Sequence, residues 1–142
     1  MKKCKHFHIW ELVSEKVYKK YGETAWSFFD PRLLGFIDWL RDGLKRPITI
    51  NNWDWGGEFE ERGLRSNLDS IPYSYTEDGV LYMSAHCTGQ AVDFDVKGMG
   101  AEEVRKWLRL NKYRTPYNIR IEKNVNWVHL DVRGMGIKIY EF

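Results

Sequence analysis

The order of apolar patterns along this chain predicts an α+β fold, with helices packed on a mainly antiparallel sheet. Two observations carry that reading. Helical periodicity dominates residues 1–45, whereas 46–142 holds short alternating runs interrupted by one helical stretch. A length of 142 residues fits one domain, 1–142, with a helical part (1–45) leading into a part made of sheet and loops (46–142).

The first helix is expected over His6–Tyr21, where Phe7, Trp10, Val13, Val17 and Tyr18 fall near helical spacing and Gly22 stands at the C-cap. Asp30-Pro31 supplies an N-cap and a first-turn proline for a second helix over 31–45, with Leu33, Leu34, Ile37, Leu40 and Leu44 on its buried face. After Pro47, ITINNW reads as a short strand, and the polar, glycine-bearing run 53–79 as a long loop of the kind that carries function. Val80–Met83 and Ala91–Val96 read as strands. Ala101–Leu110 reads as a helix with Val104, Trp107 and Leu108 inward; Gly98-Met99-Gly100 before it lacks the Lys-Ser/Thr of a phosphate loop. Asn118–Glu122, Trp127–Arg133 and Gly136–Tyr140 alternate apolar and polar residues across turn signals, as a closing antiparallel meander would.

Composition narrows the function classes. Lys and Arg total 22 against 20 Asp and Glu, a net charge of +2 that provides no electrostatic basis for nucleic-acid binding. No run approaches the roughly 18 apolar residues of a membrane span, so no membrane partner is expected. The start, MKKCKHFHIWELVSEK, becomes charged before a secretory apolar region develops, which predicts a chain made in the cytoplasm without a signal peptide. Cys4 and Cys87 read as free thiols, and a monomer is expected. Trp53 and Trp55 in the WDWGG segment suit either a stacking surface or a buried lid.

Two of the four histidines sit among other metal-ligand types, in Ser84-Ala-His86-Cys-Thr-Gly89-Gln-Ala91-Val-Asp93 and in Trp127-Val-His129-Leu-Asp131. A catalytic zinc takes three His or carboxylate ligands and leaves a position for water. His86 before a strand, an aspartate within it and His129 on a later strand meet if the two strands pair. Alternation puts Asp93 and Asp95 on one face, so periodicity does not choose between them.

The first segment matches SxHxxGxAxD and the second WxHxD, and in both the chain resembles the zinc D-alanyl-D-alanine peptidases, a family that includes phage endolysins. PITINNW and the GLR of Arg62-Gly63-Leu64-Arg65 extend the resemblance to about residues 46–135. It implies a hedgehog/D-Ala-D-Ala peptidase-like fold, Zn²⁺ held by His86, Asp93 and His129, a site supported by Ser84, and Arg65 on a substrate carboxylate or carbonyl. Gly89 would let the loop turn tightly beside the metal, and Ala91 would keep the strand slim. The implied reaction is hydrolysis of the peptidoglycan stem peptide, of D-Ala-D-Ala carboxypeptidase or L-Ala-D-Glu endopeptidase type. Such an enzyme, made without an export signal, would reach the wall after phage-mediated release.

The chain departs from several relatives at one position: Asn126 stands where they carry a glutamate as general base. Asparagine does not accept a proton, which leaves Asp131 and Glu122 as the candidate bases and Asn126 as a substrate contact. Asp131 equally suits a hydrogen bond that orients a ligand histidine. The rival reading is a non-catalytic, zinc-stabilised wall-binding or structural module that keeps the ligands and has lost the base.

Overall fold

The computed structural model describes residues 1–69 and 83–142. The strand expected over Val80–Met83 and the end of the 53–79 loop fall outside the described residues, except Met83. The chain is an α+β fold whose described residues hold three α-helices, α1 (Glu15–Tyr21), α2 (Pro31–Leu44) and α3 (Ala101–Leu110). They also hold strands β1 (Ile48–Thr49), β2 (Ala91–Val96), β3 (Ile119–Ile121), β4 (Val128–Asp131) and β5 (Ile139–Glu141). No helix among the described residues is long and apolar enough to cross a membrane.

The single helix expected over His6–Tyr21 is two pieces. Glu11 Oε2 accepts from the His8 backbone N–H at 2.7 Å and closes a separate 3₁₀ turn, Ile9–Glu11. Ser14 then caps a new start, its hydroxyl accepting from Val17 N, so α1 runs only seven residues before Gly22, whose φ is +51°. The second helix starts as its sequence implies: Asp30 Oδ1 accepts from Arg32 N at 2.9 Å, and Pro31 needs no donor there. Its face of Leu33, Leu34, Ile37, Leu40 and Leu44 joins one hydrophobic cluster with Ile50, Phe94, Val104, Leu108, Ile119, Ile121 and Leu130.

The sheet order is β1-β2-β4-β3-β5. The closing strands are therefore not a simple meander: β3 pairs with β4 antiparallel, but β5 crosses to the outer edge of β3 and runs parallel to it, Ile119 opposite Ile139. Alternation within three residues fixes which side chains point inward and leaves the partner to tertiary packing. At the centre, β2 and β4 pair antiparallel with Asp93 opposite His129 and Ala91 opposite Asp131, which brings both histidine-bearing segments to one place. Cys4 and Cys87 are free thiols.

Candidate metal centre

The strand register delivers two of the three expected ligands, and a 3₁₀ turn delivers the third. Ser84 caps the turn Ala85–Thr88 by accepting from His86 N at 3.3 Å, and Gly89 ends it at φ +65°. A Cβ on Gly89 would sit 1.9 Å from the Phe28 carbonyl oxygen, and Gly89 O accepts from Asp30 N. Both the backbone conformation and the neighbouring chain exclude a side chain here. Gly89→Ala is expected to cost at least about 2 kcal/mol and to weaken metal binding by displacing His86. Urea denaturation and a zinc titration check this, and a variant of wild-type stability would refute the tight packing of that turn.

His86, Asp93 and His129 present one ligand atom each, all within 4.8 Å of one another. Asp93 Oδ1 lies 2.8 Å from His129 Nδ1 and 3.4 Å from His86 Nε2. A tetrahedral zinc with bonds of about 2.0–2.1 Å needs ligand atoms about 3.3 Å apart, so small shifts convert this triangle into a coordination face. The other ring nitrogens are already committed. His86 Nδ1 donates to the Gly63 carbonyl at 2.8 Å, and His129 Nε2 donates to Asp131 Oδ2 at 3.0 Å. The Gly63 carbonyl cannot donate in return, so a neutral His86 keeps its lone pair on Nε2, toward Asp93; His129 faces a carboxylate oxygen on each side and donates to both, so a metal would take the place of its Nδ1 proton.

Behind these three side chains lies a fixed frame. Asp131 is fully buried and bound through both oxygens by Arg120, Nε to Oδ1 at 2.8 Å and Nη2 to Oδ2 at 2.9 Å. Burial opposes its charge, but the His129 and Arg120 hydrogen bonds override that and hold its pKa below the usual carboxylate range. Asp93 behaves alike: burial alone would raise its pKa, whereas bonds from His129 and His86 hold it low. Its second oxygen accepts from Arg65 Nη2 at 3.2 Å, and Arg65 Nε donates to Glu61 O at 2.8 Å. Gly63 permits this frame by close approach, since a Cβ there would lie 2.1 Å from the Leu12 carbonyl.

The same three side chains that could hold a metal also hold a proton. Burial would lower the His129 pKa, but Asp131 and Asp93 together push it up to about 9 from an ordinary 6.5. A folded pKa above the unfolded one contributes stability that is fully present below about pH 6.5 and is lost as pH rises through about 9. Chelator-treated protein is therefore expected to melt at progressively lower temperature across that window, and zinc-loaded protein is not. A chelated protein whose melting temperature rises over the same window would contradict the assignment.

Seven of the eight residues singled out by sequence line one cavity of about 290 Å³: Arg65, Ser84, His86, Asp93, Glu122, His129 and Asp131, joined by Arg120, Trp127 and Phe142. Asn126 does not line it; it is exposed and faces an adjoining recess with Phe59, Arg62 and Asp95, which shares Asp93 and Trp127 with the metal cavity. Asp95 pairs with Arg62 at 2.8 Å and stands outside the ligand triangle. Trp53 is a structural residue whose Nε1 donates to Val13 O, whereas Trp55 is exposed. Sequence reasoning missed Arg120, Phe142 and the Gly63 carbonyl. The isolated arginine of Ile119-Arg120-Ile121, off the apolar face of its strand, was the one available signal.

No family model, no curated protein and no solved structure matches this chain, so its donor set and its geometry are what carry a functional reading.

Proposed function

We propose that this chain is a zinc-dependent peptidase of the peptidoglycan stem peptide, with the hedgehog/D-Ala-D-Ala peptidase-like fold that its two motifs imply. The observation that supports it most is the His86–Asp93–His129 triangle with each remote ring nitrogen anchored, one on Gly63 and one on Asp131. Structural zinc sites surround the ion with four protein donors; three donors beside an open cavity are the pattern of hydrolytic sites.

Zinc, when bound, brings the pKa of a water toward about 7 and polarises a peptide carbonyl. The remaining work belongs to side chains of this chain. Asp131, its oxygens occupied by Arg120, His129 and Arg133 N, orients His129 and is a poor proton acceptor. Glu122 lines the same cavity with no partner for its carboxylate among the described residues, so it takes the proton of the attacking water and passes it to the leaving amine. Arg65, fixed through Nη2 and Nε, offers Nη1 to a substrate carboxylate or carbonyl. Because Asn126 lies outside the cavity, its amide does not remove the base from the site; it contacts substrate from the adjoining recess.

The test is digestion of purified peptidoglycan with zinc-loaded protein, followed by mass spectrometry of the released fragments to identify the bond cut. Glu122→Gln is expected to keep its zinc and lose about 100-fold or more in kcat. A zinc-replete wild type that releases nothing would leave the non-catalytic module as the better reading. The proposed place of action, the wall after phage-mediated release, follows from the substrate.

A further inference from the structure

A second cavity, about 470 Å³, lies where α2 and α3 end and shares no lining residue with the metal cavity. Its volume falls within the range of about 300–1,000 Å³ typical of small-molecule sites. Trp39 and Trp107 form its walls, ring centroids 5.6 Å apart and planes inclined at 54°. The approach of the helices is set by Gly43, where a Cβ would lie 2.7 Å from the Trp107 ring.

The polar rim is as defined as the aromatic walls. The Asn111 side chain is held in place by donating to Trp107 O at 2.8 Å, which leaves its Oδ1 as an acceptor. Lys45 and Arg114 line the cavity without an ion pair among the described residues. Asp42 completes the rim, its carboxylate in contact with His6 Nε2 at 2.6 Å and Lys5 Nζ at 3.3 Å.

We propose that this cavity binds an N-acetylated hexosamine ring of a glycan. A flat aromatic ligand cannot lie parallel to both indoles, because they are inclined. A pyranose can place its apolar face on one and the methyl of its acetamido group on the other. Hydroxyls and an amide require donors and acceptors together, which Lys45, Arg114, Asn111 and Asp42 supply. The C-terminal ends of two helices carry partial negative charge that offsets the two cations, so a neutral ligand is favoured over a nucleotide phosphate. The choice of glycan rests on the proposed wall substrate, whose stem peptides hang from such sugars; this site would hold the strand while the metal cavity works on the peptide.

Binding of tetra-N-acetylchitotetraose, followed by tryptophan fluorescence and calorimetry, tests this without any hydrolysis. The wild type is expected to bind with Kd of about 0.1–1 mM, Arg114→Ala and Asn111→Ala about tenfold more weakly, and Trp107→Ala not detectably, with Trp107→Phe partly restored. Arg114→Ala is exposed at a helix end, so its effect is readable even if Trp107→Ala fails to fold. Asp93→Ala should bind the sugar as well as wild type. Loss of binding in Asp93→Ala, no binding by folded wild type, or equal affinity for a dinucleotide would each overturn the proposal. Sugar binding by a wild type that takes up no zinc even on reconstitution would sink the peptidase reading and leave this site standing.

Discussion

Asp93→Ala should abolish zinc binding while Asp95→Ala leaves it intact, although the two carboxylates sit two residues apart on one face of β2. Asp93 is opposite His129 in the central ladder, and its Oδ1 is the atom within reach of both histidines. Asp95 has passed the end of β4, pairs in register with Thr49 of β1 and is occupied by Arg62 at 2.8 Å. Removing a direct ligand costs far more than the roughly 10–100-fold in affinity expected of Asp131→Asn, where only the partner of His129 changes. Elemental analysis of the purified variants, backed by competition with a chromogenic chelator, separates the three cases. Wild-type zinc in Asp93→Ala, or zinc lost only in Asp95→Ala, would dismantle the assigned triangle. Because Asp93 also fixes Arg65, the same variant is expected to lose substrate affinity in any residual activity.

What was legible in the sequence, and what was not, divides along the range of the interactions. Ala91–Val96 and Ala101–Leu110 have the boundaries their local patterns predict, and α2 ends within one residue of expectation, because caps, proline and periodicity act over a few residues. The break at Ser14 overrode helical spacing because a hydroxyl cap and the Glu11 carboxylate satisfy backbone donors that a continuous helix would have paired otherwise. The parallel placement of β5 was invisible, since strand partnership is decided by packing between segments distant in sequence. The same limit applies to the site. Histidine and aspartate identities marked the candidate ligands, but only the register shows that Arg120 faces Asp131 across β3 and β4 and that Asp93, not Asp95, meets His129.

The largest stability loss is expected away from the metal, at Arg105. The helical pattern of α3 places Val104, Trp107 and Leu108 inward, yet Arg105 is only 3% exposed and projects toward the turn that follows β3. There Nη1 donates to Trp127 O at 3.1 Å and to Glu122 O at 3.4 Å, Nη2 donates to Val125 O at 3.0 Å, and Nε pairs with Glu102 at 2.7 Å. A single buried guanidinium thus satisfies three backbone carbonyls of the segment that presents Glu122 and Trp127 to the metal cavity. Arg105→Met would keep much of the apolar stem but leave those carbonyls without a donor, at a cost of about 3–5 kcal/mol. Glu102→Gln, which weakens the pairings of an exposed carboxylate with Arg105 and Arg109, should cost far less. Urea titrations of the two variants distinguish a buried cation that organises the turn from a surface ion pair on the helix; a loss below about 1 kcal/mol in Arg105→Met would refute the former. Arg105→Lys extends the test to function. Its single ammonium cannot span three carbonyls set by a planar fork, so the lysine variant is expected to retain more stability than the methionine one. It should still lose activity in proportion to the displacement of Glu122, with zinc content unchanged because His129 is anchored separately through Asp131.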